Sequence, residues 1–336
     1  MQSSINAGLS RAFGAAALAA AMWAAPAQAQ QNFDFAVWYS DRDYYAPMTT
    51  RWAQQVEQIT DGRVKIKLHY SGSLVPAKDT VAAVRNGSVG GGTTSISFLA
   101  GIVRELSYME PFFWIPAEAK AGQEMMDKLT PPSRALMEQR GMALMFGLPS
   151  SGLLTACRRE HIKAVADWKG KKVRAAGRWQ GAQLTAVGAS PVAIDPGELY
   201  IAVQNGTVDC TMFLANLTLS GKIHEVAPNI TYWNDGANSS FYYLNLDQWK
   251  KVSPDDQKKI LAMSDQLAKD WAVEQIGMQQ TAAKELEKAG ANVFYPTRAQ
   301  IDDHKKAMSP VWKQLDDFRS EEHTSELQSH SFISYA

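Results

Sequence analysis

The chain has 336 residues, 46% of them hydrophobic, and its 34 Lys and Arg balance its 34 Asp and Glu. That composition suits a folded protein of one large or two medium domains. With no basic excess, nucleic acid and anionic membrane surfaces are excluded as expected partners.

At the amino end, Arg11 precedes the apolar run AFGAAALAAAMWAAP and the small-residue site Ala27-Gln28-Ala29. A cationic region, an apolar core and an A-x-A site predict a secretory signal peptide over residues 1–29, cleaved after Ala29. The run is shorter than the ~20 apolar residues that a membrane span requires.

Residues 33–39 (FDFAVWY) read as a strand, followed by the polar, aromatic loop SDRDYYAPM. TTRWAQQVEQITDG predicts an amphipathic helix with Trp52, Val56 and Ile59 on one face and Gly62 as its stop. RVKIKLHY alternates basic and apolar residues, as a half-buried strand does. TVAAVRNG predicts a helix ended by Gly87, and SVGGGTTSISFLA a glycine-rich strand. This β-α-β-α-β order opens a doubly wound α/β domain. Gly90-Gly91-Gly92 lacks the following Lys-Ser/Thr of a phosphate-binding loop, so it predicts close approach of backbone or ligand instead.

In the middle of the chain, KKVRAA is a strand carrying Arg174, and GAQLTAVGA is an amphipathic turn and a half closed by Gly188. DPGELYIAVQNG predicts a helix with Asp195 as N-cap, Pro196 at the first position, Glu198 completing a capping box and Gly206 as the stop. TVDCTMF reads as a buried strand, and SFYYLNL as a strand that returns the chain to the first domain. From Ser253, an N-cap with Pro254 behind it, one helical pattern continues to Gly290. From Arg319 the chain reads RSEEHTSELQSH, which matches the translation of a common sequencing adapter. Residues 319–336 are therefore expected to be an adapter-derived tail.

The residues offer no assembled chemistry. The histidines show no metal-ligand spacing, and neither a G-x-S-x-G elbow nor a C-x-x-C pair is present. Asp255-Asp256 and Asp302-Asp303 read as helix N-terminal pairs, favoured there by the macrodipole. No enzyme, metal or cofactor is expected. Cys157 and Cys210 are the only cysteines. In an oxidising compartment they could pair, and two buried free thiols fit equally well.

Several motifs stand in an order that resembles a known family. DWKGKKVR, GASPV, ELYIAVQNGTVD and HEV, preceded by TDGRVKI, GSL, VRNGSV and LSYMEPFFW, resemble the DctP family, the periplasmic solute receptors of tripartite ATP-independent (TRAP) transporters. The resemblance covers roughly residues 33–318. It implies an α/β, two-lobed periplasmic binding protein fold (type II-like), with a hinge between the lobes and the long helix spanning both. Residues 30–151 and 239–278 would form lobe 1, and 152–238 and 279–318 lobe 2. It further implies a periplasmic receptor that takes a small organic acid and delivers it to the membrane subunits of a TRAP permease; some members of the family pair, and a monomer is expected here.

Arg174 stands where the family's carboxylate-binding arginine stands, and a guanidinium fork matches the two oxygens of a carboxylate. Elsewhere the sequence departs from the family's polar pattern. Phe213 and Met212 fall at an asparagine and a glutamate, Cys210 at a glycine, and Leu154 at a second arginine carried by some members. Trp38 ends the first strand, at an often polar pocket position, and Ser95 is the matching residue of the glycine-rich strand. Arg178 is a second candidate anion contact, with Arg158 and Arg159 as others. One arginine over a floor of Trp, Met and Phe predicts a monocarboxylate with an apolar or aromatic body. The alternatives are that these apolar residues belong to the core, that the receptor serves an ABC importer or a sensor kinase, or that a hydrolase uses the same fold.

Overall fold

A computed structural model describes residues 30–114, 118–150, 152–235 and 238–323. The expected signal peptide and residues 324–336 of the expected tail lie outside these residues, as do the side chains of residues 319–323.

Two sheets organise the chain. The first contains β1 (Gln31–Ala36), β2 (Val64–His69), β3 (Gly91–Ser95), β4 (Met142–Ser150) and β10 (Asn238–Asn245), in the order β2-β1-β3-β10-β4. β1 runs parallel to β2 and β3, whereas β10 is antiparallel to both its neighbours. The second contains β5 (Leu153–Cys157), β6 (Lys172–Ala175), β7 (Ser190–Ala193), β8 (Cys210–Leu214), β9 (Asn229–Tyr232) and β11 (Asn292–Phe294), in the order β11-β9-β5-β8-β6-β7. The chain passes from the first sheet to the second between β4 and β5, and returns between β9 and β10. This is the expected two-lobed α/β architecture.

Alternation along β10 shows how the first lobe is filled. Phe241 and Tyr243 face a core with Val84, Leu99 and Met137, while Tyr242 faces another with Phe35, Trp52 and Phe146. The Tyr242 ring stacks on Phe146 with centroids 4.3 Å apart, and the Trp52 ring meets Phe146 edge-on at 5.7 Å. The glycines of β3 admit this packing. A Cβ on Gly91 would fall 2.7 Å from Cδ2 of Phe35, and one on Gly92 would fall 2.5 Å from Cγ2 of Thr80. At these two glycines it is side chains that come close, and backbone does so at Gly90, where a Cβ would fall 2.9 Å from the Phe33 Cα.

Helices follow the capping signals in most places. Helix α1 (Ala46–Ile59) buries Trp52 and Val56 as its pattern requires. Helix α2 (Ala119–Gln139) is hidden from sequence patterning, because Pro131-Pro132 lie inside it and proline ordinarily ends a helix. Ser133 Oγ donates to the Leu129 carbonyl at 2.7 Å within that disturbed turn. Helix α3 (Arg178–Ala186) precedes Gly188, which adopts a φ of +82°. The DPGELYIAVQNG helix begins differently from its signal: Pro196–Glu198 form a 3-10 turn before α4 (Leu199–Gln204). Asp195 caps it by accepting from the Gly197 N–H at 3.1 Å, and the predicted capping box does not form. The glycine-rich strand likewise stops early, at Ser95, whose hydroxyl accepts from the Ser97 N–H and starts the short helix Ile96–Leu99. After β8 comes α5 (Ala215–Ser220).

Helix α6 (Pro254–Lys288) joins the lobes. Ser253 caps it by accepting from the Asp256 N–H at 3.1 Å. Its Trp271 is buried in the core of the first lobe, and its Ala282, Ala283 and Leu286 in a core of the second. The open question of the cysteines is resolved by register: Cys157 and Cys210 face each other across β5 and β8 and form a disulfide, with Cα atoms 4.1 Å apart.

Candidate ligand-binding site

Arg174 lies on β6 between β7 and β8, and its side chain is only 3% exposed. Its Nε donates to the Ile194 carbonyl at 3.1 Å, and its guanidinium lies over the Phe213 ring, 5.3 Å from the centroid. Among the described residues, no protein acceptor meets its two terminal nitrogens. Burial pulls the Arg174 pKa down to about 10, with Asp195 opposing the shift. A cation held out of water in this way favours an anionic partner, because the pair interacts strongly where solvent is excluded.

The arginine opens onto a cavity between the two sheets, about 480 Å³ with its open mouth included. The second lobe contributes Arg174, Met212 and Phe213 to its wall, and the first lobe contributes Trp38, Ser95, Asn238 and Ser240. These residues sit at the ends of β1, β3, β6 and β8 and on the first residues of β10. A crevice at the ends of parallel strands is where open α/β sheets commonly bind ligands. Among the described residues, Arg174 is the only charged one lining the cavity. Met212 is 1% exposed and held by the Thr155 hydroxyl, which lies 3.0 Å from its sulfur.

Five of the six residues expected at a site, namely Arg174, Phe213, Trp38, Ser95 and Met212, thus meet around one cavity. Arg178 does not. Its guanidinium stacks over the rings of Trp179 and Phe318, at 4.8 and 4.9 Å, and it is absent from the cavity wall. The reason is helical geometry: Gln180, two residues further along α3, faces the cavity, and a two-residue step turns a side chain by about 200°. Arg158 also lies elsewhere, reaching the Gln204 carbonyl at 3.4 Å beyond the far end of β5, and Arg159 is exposed. Leu154 is packed in a core of the second lobe, whereas its neighbour Leu153 lines the cavity.

Asn238, Ser240 and Gln180 line the cavity without having been singled out in the sequence. Gln180 is fixed from three sides. Its amide donates to Ser97 Oγ at 2.9 Å, its oxygen accepts from the Ala176 N–H, and its backbone N–H points at Glu110. Glu110 Oε1 accepts from the Trp179 N–H at 2.7 Å and from the Gln180 N–H at 3.3 Å, so a carboxylate from the segment before α2 caps α3. Burial pushes the Glu110 pKa up to about 7, against the pull of these donors and of Arg178. On the other side of the junction, Asp43 accepts from the Ser220 hydroxyl at 2.8 Å. Burial raises its pKa to about 6.

Among the described residues, no group of His, Cys, Asp and Glu could hold a metal ion, and no helix is long and apolar enough to cross a membrane. The sequence is 25% identical over 286 residues to a solute-binding protein of Albidiferax ferrireducens, covering 81% of this chain and 79% of that one. It is 27% identical over 231 residues to a monocarboxylate 2-oxoacid-binding periplasmic protein of Nostoc sp., covering 63% and 62%. The fold matches a TRAP periplasmic solute binding protein from Desulfovibrio salexigens, solved with bound orotic acid, with a TM-score of 0.80 at 22% identity over 88% of this chain and 99% of that one. The profile of the DctP family, bacterial extracellular solute-binding protein, family 7, matches residues 35–317, and this chain, a two-lobed TRAP-type solute receptor, belongs to that family.

Proposed function

We propose that the protein is a periplasmic receptor that binds one small organic acid through a single carboxylate at Arg174 and hands it, as a monomer, to the membrane subunits of a TRAP permease. The body of the acid is apolar or aromatic and lies against Trp38, Met212 and Phe213. The observation that carries this reading is a buried arginine with both terminal nitrogens unpaired in a cavity wall that holds no other charge among the described residues. A second carboxylate would be desolvated there without a cation beside it, which is costly. A relative named for monocarboxylate 2-oxoacids and a structural neighbour holding orotic acid support the same class of ligand. The lobes are taken as 30–151 with 239–278, and 152–238 with 279–318, closing on the ligand about the two strand crossings. Capture and release need no bond to be made or broken, so the protein is a carrier and not an enzyme.

The test is a thermal-shift screen of aromatic, branched-chain and 2-oxo monocarboxylates, with C4-dicarboxylates alongside. An acid present at 100 times its Kd should stabilise the protein by about 2.7 kcal/mol. Arg174→Ala leaves the ligand's charge buried and unpaired, at a cost of about 2–5 kcal/mol, so the Kd should rise at least about 30-fold. A hit list of dicarboxylates alone, or a hit indifferent to Arg174→Ala, would overturn this assignment.

A further inference from the structure

We infer that the ligand is not apolar throughout: away from its carboxylate it carries a neutral hydrogen-bond acceptor, a hydroxyl, keto or amide oxygen, which Ser240 and Asn238 of the first lobe receive. The inference rests on the reading of Arg174 as the carboxylate site and specifies the other end of the same ligand.

It starts from the pairing of β3 with β10. Ser240 lies directly opposite Ser95 across this antiparallel pair, so both side chains stand on one face of the sheet. Asn238, two residues before Ser240, stands on that face as well. All three line the cavity, on the wall contributed by the lobe that does not carry Arg174. The Ser240 side chain is in the interior, at 4% exposure, and its hydroxyl has no partner among the described residues. Asn238 Oδ1 is already engaged, accepting from the Ser239 N–H at 2.7 Å and from Ser95 Oγ at 3.4 Å, which leaves its amide hydrogens to donate. Trp38, on the same wall, has a buried indole N–H with no acceptor among the described residues.

This wall therefore has donors to spare. An amide NH₂ and an indole N–H can only donate, and a serine hydroxyl does so readily. The Ser240 hydroxyl and the Asn238 amide open onto the cavity from a buried and a half-buried residue, and a donor that a closing ligand covers without an acceptor is costly, so a ligand that fits this wall brings one. The acceptor they meet is neutral, since Arg174, which the carboxylate takes, is the one cation among the described lining residues and none stands on this wall. Sites built to hydrogen-bond a ligand discriminate strongly against the analogue that lacks the group. Ser240 and Asn238 are thus specificity residues, and the arginine is the general one.

Calorimetric titration of the purified protein with two matched pairs tests this: 3-(4-hydroxyphenyl)propanoate against 3-phenylpropanoate, and 5-oxohexanoate against hexanoate. The oxygen-bearing member of at least one pair should bind at least tenfold more tightly. In Ser240→Ala and in Asn238→Ala that preference should fall below threefold, with the oxygen-bearing member losing more affinity than its apolar partner, and Ser240→Ala should keep the melting temperature without ligand near the wild-type value. Equal binding within both pairs, tighter binding of the apolar members, or a preference untouched by both substitutions would overturn this inference while leaving the carboxylate reading intact. Failure of all four acids to bind would overturn both.

Discussion

Gly177 lies between β6, which carries Arg174, and α3, and it has no room for a side chain. A Cβ there would run into the Glu110 carboxylate and fall 2.7 Å from the Ser97 carbonyl oxygen. Its φ of −146° is open to any residue, so the constraint is contact and not backbone strain. Gly177→Ala should cost about 1–3 kcal/mol, as overpacking in a filled interior does, and lower the melting temperature by several degrees. It should also weaken ligand binding, because Ala176 and Gln180 on either side of it line the cavity. An unchanged melting curve would mean that the junction yields more easily than the contacts imply. At this scale the sequence was uneven. Arg174 could be read from its strand and its family motif, since the motif fixes both position and chemistry. Arg178 could not be placed, because facing is decided by a helix start that a one-residue shift would change. Asn238 and Ser240 were hidden because β10 is a central strand buried on both faces, which erases the alternation that tells one face from the other.

Among the elements, the pairing of β5 with β8 shows what the disulfide holds. Leu153 and Leu214 face each other at the cavity end of the two strands, and Cys157 and Cys210 at the opposite end. The covalent link therefore closes a loop containing β6, β7 and the helices between β6 and β8, with 53 residues of separation, without touching the ligand wall. Chain-entropy reasoning gives about 4 kcal/mol for a loop of this length. A Cys157→Ala, Cys210→Ala double variant should unfold at a clearly lower denaturant concentration yet keep its ligand affinity within about threefold; a loss of affinity matching the loss of stability would show that the bond shapes the site. Such a pairing is invisible in one sequence, since the register across 53 residues is a property of the folded sheet. By contrast, the long helix was plain, because Ser253 and Pro254 mark its start by local chemistry alone. Helix α2 was not, because two prolines within it carry the local signature of a break that tertiary packing overrides.

For the molecule as a whole, the two buried carboxylates at the lobe junction tie stability to pH. Asp43 and Glu110 are 2% and 3% exposed, and burial raises their pKa values from 3.8 to about 6 and from 4.5 to about 7. The groups facing them offset this only in part: the Tyr45 N–H and Ser220 hydroxyl at Asp43, and the Trp179 and Gln180 N–H groups with Arg178 at Glu110. Below the unfolded pKa of each acid both states hold the proton, and the folded state bears no penalty. As pH rises, the unfolded chain ionises first while the folded one keeps its proton, so stability is lost progressively until pH exceeds about 7 and then levels off. Each shift corresponds to about 3 kcal/mol at most. The melting temperature should therefore fall between pH 5 and pH 8. Glu110→Gln preserves an oxygen to accept from the cap of α3 but has no charge to bury, so it should melt above the wild type at pH 8 and close to it at pH 5. Asp43→Asn should remove the remaining part of the slope, at slightly lower pH. A wild-type stability that instead rises from pH 5 to pH 8 would show that the ionised carboxylates are held by the helix terminus and Arg178 more strongly than burial opposes them, and that the junction is locked by charge.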